Sequence, residues 1–160
     1  MKIKTSISPL IAINAEKLRY WISITLILFL AATLYFYQLG TESLWIDEIY
    51  SIRDARQNIF NLSLNRPLYY ILLHFWMRFD SSEAWLRGLS VIFGLVSVWL
   101  IYQLGVRLSN RATGLIAALL LTLSPLVINH TQEVRMYVLS MCLGLGGSLI
   151  LTDVLEKFTI

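Results

Sequence analysis

The polar and apolar positions of the chain alternate on two scales. On the longer scale, four stretches carry no charge: Tyr20 to Thr41, Gly88 to Val106, Ala112 to Thr131 and Met136 to Thr152. A membrane span needs about 17–25 mostly apolar residues, so each reads as a transmembrane helix, at 20–41, 88–106, 112–128 and 136–152. The third ends where Asn129 turns the chain polar. Ser124-Pro125 marks a bend or an end near its last turn, because proline cannot continue the hydrogen-bond ladder. Gly144, Gly146 and Gly147 dilute the fourth and are read as close helix packing. On the shorter scale, residues 42–87 carry helical periods of their own. Leu44 to Gln57 reads as a helix with Ser43 as N-cap and Asp47 and Glu48 near the first turn, where carboxylates are favoured. Trp45, Ile49 and Ile52 share one of its faces. Asn58 to Asn65 reads as a turn. Pro67 suits the first position of a second helix, Leu68 to Phe79, in which Leu68, Ile71, Leu72, Phe75, Trp76 and Phe79 recur at helical spacing. That helix is too short to span and reads as interfacial, with Tyr70, His74 and Arg78 on the other side. Asp80, Ser81 or Ser82 then caps the second span.

The pattern predicts an all-α, polytopic membrane protein: about four transmembrane helices with amphipathic interfacial helices in a long first outer loop. The first span is longer than the apolar core of a cleaved signal, about 7–15 residues. Its charged leader is long and no small-x-small cleavage site follows, so it is read as a retained anchor. Lys and Arg set the orientation. Lys2, Lys4, Lys17 and Arg19 lie in the leader 1–19, Arg107 and Arg111 in the link after the second span, and Lys157 in the tail 153–160. Both termini are therefore expected in the cytoplasm of a multi-pass inner or plasma-membrane protein. Residues 42–87 and 129–135 are expected outside.

Composition agrees. The chain has 160 residues, 57% hydrophobic and 14% charged, with mean hydropathy +0.66. Soluble domains carry about 25% charged residues, so disorder and a secreted scaffold are excluded. One cysteine, Cys142, makes neither an internal disulfide nor a zinc site. The net charge is +3, but the basic residues are spread along the chain. They read as topology markers, and a nucleic-acid partner is not expected.

Two clusters carry candidate chemistry. Asp47-Glu48 sits just outside the first span. These are either two solvated acids at a helix start or a general base, a metal ligand, or both. Adjacent helical residues point about 100° apart, so the two acids need not share one task. Asn129 to Tyr137 lies on the same side. Glu133 and Arg135 border an apolar helix, where charge is costly and often functional. They either pair with each other or act on a ligand, and arginine suits a phosphate. His74 reads more simply as a packing or hydrogen-bonding residue than as a ligand.

Ser43 to Ser51, with its Trp45-Ile46-Asp47-Glu48 centre, resembles the acidic first-loop motif of GT-C membrane glycosyltransferases. The resemblance is to protein O-mannosyltransferases, lipid A aminoarabinose transferases and family 39 glycosyltransferase-like proteins. Arg66-Pro67-Leu68-Tyr69-Tyr70 through His74 is similar to their His-Pro-Pro-Leu-Tyr-Tyr segment, with Arg66 in place of the histidine and one proline missing. Ser124-Pro125 and Gln132-Glu133-Val134-Arg135-Met136-Tyr137 resemble their second-loop Gln-Glu-Ala-Arg-x-Tyr motif. The resemblance implies transfer of a sugar from a polyprenyl-phosphate donor at the outer face. Asp47 would be the base and Glu48 its assistant, with Glu133, Arg135, Tyr137, Arg66 and His74 around the substrates. No cofactor is assigned, because metal use differs among such enzymes. Family members are several times longer, so the chain is expected to be the N-terminal part of a larger enzyme. The alternatives are a non-catalytic membrane subunit or scaffold and a small transporter component. The uncharged centres of the spans count against the transporter.

Overall fold

The computed structural model describes residues 8–57 and 67–158. Among them are seven helices and no strand: α1 Ser8–Phe36, α2 Ile46–Arg56, α3 Pro67–Trp76, α4 Glu83–Leu108, α5 Arg111–Thr122, α6 Pro125–Thr131 and α7 Tyr137–Phe158. The expected turn at 58–65 lies outside the described residues. Three helices are long and apolar enough to cross a membrane: α1 from Lys17, α4 and α7. Most of the apolar surface of α1 and α7 faces outward, including Phe29 and Ile150. That is the surface a bilayer covers, and each helix satisfies its own backbone there. The protein is an all-α, multi-pass membrane protein.

The third predicted span is broken. Twelve residues of α5 at about 1.5 Å each fall short of a hydrocarbon core of about 30 Å. The chain bends by 63° between α5 and α6. Pro125 stands at the start of α6 and Ser124 in extended conformation before it, as the Ser124-Pro125 pair predicts. The α5–α6 pair makes the fourth span only if both pieces are counted together.

α4 is the central helix and packs against α1, α5, α7, α6 and α3. Its closest approach is to α5. A β-carbon on Gly105 would lie 2.7 Å from the Gly114 Cα, so glycine at both positions is what lets the two backbones meet. The packing expected at Gly144, Gly146 and Gly147 is not found. A β-carbon at Gly144 or Gly147 meets nothing within 4 Å, and one at Gly146 meets only Leu100, at 4.0 Å. Gly144 and Gly147 lie on a side of α7 turned away from its partners among the described residues.

Arg107 and Arg111 lie at one end of the bundle. Arg111 lies over the Tyr20 ring, 5.3 Å from its centroid, and Arg107 pairs with Asp153. At the opposite end, α2, α3 and the start of α4 enclose a small core of Ile52, Ala55, Tyr69, Leu73, Leu86 and Leu89 with Val134 and Leu139. Here α3 ends at Trp76, short of the expected Phe79. Its protein-facing side is Tyr69 and Leu73, while Leu68, Phe75 and Phe79 are exposed. Of the apolar stripe read from the sequence, Leu68, Phe75 and Phe79 are thus left outside the protein, while Leu72 and Trp76 pack against this core. α4 starts at Glu83, five residues before its uncharged stretch, after a turn in which Asp80 accepts from the Ser81 and Ser82 N–H groups and the Ser82 hydroxyl.

Candidate functional site

The site grows from the first turn of α2. Trp45, rather than Ser43, is the N-cap residue, in extended conformation. Its N–H donates to Glu48 Oε2 at 2.9 Å, half of a capping box in which the acid three residues on satisfies the cap. That bond turns Glu48 inward. The Arg87 Nε donates to Oε1 at 3.1 Å and Nη2 to Oε2 at 3.0 Å, a two-pronged ion pair. The Val134 N–H donates to Oε1 at 2.8 Å. Glu48 is 1% exposed and Arg87 3%. Burial alone pushes the Glu48 carboxyl up, but the Arg87 hydrogen bonds, the Trp45 and Val134 amides and the Arg87 charge outweigh it. Together they hold the group below the usual carboxylate range. The remaining Arg87 donors go to the carbonyls of Leu39, Glu42 and Ser43. One buried pair therefore ties the end of α1, the start of α2, the start of α4 and the segment before α7 into a single piece.

Asp47, one residue back and about a hundred degrees round the helix, faces outward. Its side chain is 62% exposed and pairs with Arg135, Nη2 to Oδ2 at 3.3 Å. Arg135 Nη1 also donates to the Asp47 carbonyl at 3.2 Å, and Nη2 to the Tyr137 hydroxyl at 3.2 Å. The Tyr137 ring lies 4.7 Å from the His130 ring, and His130 Nδ1 is 3.4 Å from Glu133 Oε2. Asp47, Arg135, Tyr137, His130 and Glu133, with Trp45 and Glu48, line a cavity of about 290 Å³. An exposed carboxylate and a fixed guanidinium thus share one pocket, as a proton acceptor and an anion binder beside each other.

Of the residues expected around a substrate, Asp47, Glu48, Glu133, Arg135 and Tyr137 meet here. Arg66 lies outside the described residues. His74 is elsewhere: its Nδ1 is 2.7 Å from the Ala55 carbonyl. The carbonyl only accepts, so Nδ1 carries the proton, and His74 closes one of the open carbonyls at the end of α2. Arg87 was not singled out from the sequence. Its only signal is a charge standing at the first turn of a long apolar run. Gln132 was quoted only as part of a motif. It holds the second loop to α1, with Nε2 donating to the Tyr37 carbonyl at 2.9 Å and to those of Leu34 and Tyr35. Among the described residues, no three His, Cys, Asp or Glu side chains are grouped to share an ion.

The described residues thus form a bundle of membrane helices carrying an acid–arginine pocket where two loops meet at one end. A sequence model of the dolichyl-phosphate-mannose-protein mannosyltransferase family matches residues 66–157. That is more than half of the chain, and the chain belongs to this family. The match takes in Arg135 and Tyr137 but not Asp47 and Glu48, which the fold brings to them. Neither a curated protein nor a solved structure matches the chain.

Proposed function

We propose that the Asp47–Arg135 pocket is the transfer site of a glycosyltransferase that uses a polyprenyl-phosphate sugar at the outer face of the membrane. The observation that carries this reading is the 3.3 Å pair between Asp47 and Arg135, residues from two separate loops, in an open cavity. Arg135 holds the donor phosphate, and Tyr137 steadies the guanidinium. An acceptor hydroxyl oxygen attacks the anomeric carbon, the bond from that carbon to the phosphate oxygen breaks, and the electron pair leaves on the lipid phosphate. Asp47 takes the hydroxyl proton. Glu48 positions Asp47 through the Arg87 clamp, because both of its oxygens are already hydrogen-bonded. Glu133 and His130 shape the wall.

The test is a transfer assay with a separate donor-binding measurement on a complete, membrane-inserted enzyme that carries this segment. A positioned base contributes about 10²–10⁴-fold. Asp47→Asn should therefore lower kcat by that order with donor binding retained, whereas Arg135→Ala should weaken donor binding first. A folded Asp47→Asn protein with near-normal kcat would make the acid structural and leave the non-catalytic subunit as the better reading.

A further inference from the structure

Beside the Asp47–Arg135 pocket lies a second cavity of about 310 Å³, at the small end of the usual range for ligand sites, roughly 300–1,000 Å³. Trp45 and Glu133 line both cavities. They are the partition between two neighbouring chambers.

The chambers differ in how accessible their cation is. The first contains Arg135. In the second the only cation among the described residues is Arg87, whose Nε, Nη1 and Nη2 are all engaged by Glu48 and by the Leu39, Glu42 and Ser43 carbonyls. The second chamber also carries the carboxylates of Glu42 and Glu133. Both chambers carry carboxylates, but a phosphate can reach the Arg135 guanidinium, 20% exposed, and not that of Arg87, 4% exposed. What the second offers is neutral hydrogen bonding. The Gln38 and Asn129 amides line it, and neither has a side-chain partner among the described residues. Gln132 spends its Nε2 on the carbonyls of α1, which leaves its carbonyl oxygen.

Amides and carboxylates match hydroxyl groups, each of which both donates and accepts. Trp45, 67% exposed, adds a flat apolar face beside them, suited to the C–H face of a sugar ring. The chamber is also preformed. Gln132 and Arg87 pin its wall, residues 34–43, by backbone carbonyls at both ends. Within that wall Gln38 is held at φ 53°, a conformation that a residue with a β-carbon seldom adopts unless its surroundings impose it.

We propose that this second chamber binds a sugar ring, with Trp45 as its stacking wall. The proposal rests on the transfer reading only for the ring's origin. The ring belongs either to the donor whose phosphate Arg135 holds or to the acceptor.

The test uses the full chain in lipid nanodiscs, with methyl α-mannopyranoside and methyl β-glucopyranoside as probes and saturation-transfer NMR as the readout. Saturation should reach the ring C–H protons of at least one glycoside. Trp45→Ala should raise its dissociation constant ten-fold or more, and Trp45→Phe should restore most of the loss. Trp45 caps α2 through its backbone N–H, so the alanine variant keeps that bond, and circular dichroism checks that it is folded. Absence of saturation for both glycosides in the wild type, or wild-type binding by Trp45→Ala, would overturn the proposal. Two further titrations locate the ring, with a sugar-bearing polyprenyl phosphate and with the bare lipid phosphate. A loss in Trp45→Ala confined to the sugar-bearing lipid assigns the ring to the donor. No loss for either lipid with a raised KM for acceptor assigns it to the acceptor. An equal loss for both lipids contradicts a sugar subsite. Asp47→Asn separates the two readings: it should bind the glycosides normally while losing transfer. Retained transfer would end the catalytic assignment and leave the chamber intact.

Discussion

Replacing Arg87 by leucine removes the cation from a site that is closed to water. Glu48 then keeps two of its four hydrogen bonds, those from the Trp45 and Val134 amides, and the Leu39 and Glu42 carbonyls lose their shared donor. Breaking a buried ion pair by removing one partner costs about 3–5 kcal/mol, because the other charge is left uncompensated. At about 1.4 kcal/mol per factor of ten, the folding equilibrium should fall by roughly a hundred-fold or more. The assay is reversible unfolding in mixed micelles, followed by tryptophan fluorescence. Its pH dependence supplies a second reading. The Glu48 carboxyl lies lower in the folded protein than in the unfolded chain, where it titrates near pH 4.3. Its contribution is therefore complete above that pH and is lost as the pH falls through the folded value. The Glu48→Gln variant should lack this acid-dependent component. A stability for Arg87→Leu within about 0.5 kcal/mol of the wild type, the range of ordinary surface changes, would refute the clamp. So would an unchanged acid profile in Glu48→Gln.

Other outcomes follow from single positions. Gly105→Leu should destabilise the α4–α5 contact by about 1–3 kcal/mol, since its β-carbon meets the Gly114 backbone at 2.7 Å. Gly147→Ala, with nothing within 4 Å, should be neutral or stabilise the helix by up to about 1 kcal/mol; thermal scans in detergent measure both. With the native tryptophans replaced, Phe79→Trp should fluoresce blue-shifted and be quenched by shallow lipid-borne quenchers, because Phe79, in the turn just after α3, is 80% exposed; quenching by water-soluble agents alone would place this end of α3 off the membrane. A cysteine at exposed Gln57, after replacement of Cys142, should react with an impermeant reagent added outside intact cells; reaction only after permeabilisation would invert the proposed topology.

The long-range order of the helices was legible because its signals are local. Uncharged stretches located α1, α4 and α7, and Ser124-Pro125 located the break between α5 and α6. The acid pair and the Gln132–Tyr137 segment stood out as polar groups against apolar helices. What escaped was set by partners distant in the chain. Arg87 sits at the edge of an apolar run and looks like a topology marker until Glu48 is beside it. Glu48 and Asp47 are equivalent in sequence, and only the Trp45 cap and the Arg87 pair turn one inward and leave the other outside. α3 is apolar on more than one side, so periodicity found a stripe that is partly left outside and not the Tyr69–Leu73 side that packs on α2 and α4. The glycines of α7 resemble a packing motif, yet Gly144 and Gly147 meet no neighbour and Gly146 only touches Leu100.

In the proposed site, Arg135 holds the donor phosphate beside the first-loop acid Asp47. A polyprenyl-phosphate sugar carrying a photoreactive diazirine next to the phosphate tests this directly in the membrane-inserted protein. After illumination and peptide mapping, label should fall on residues 45–48 and 130–137 and should be lost from both in Arg135→Ala. Label confined to the outward surfaces of α1 and α7, or unchanged by Arg135→Ala, would contradict the site.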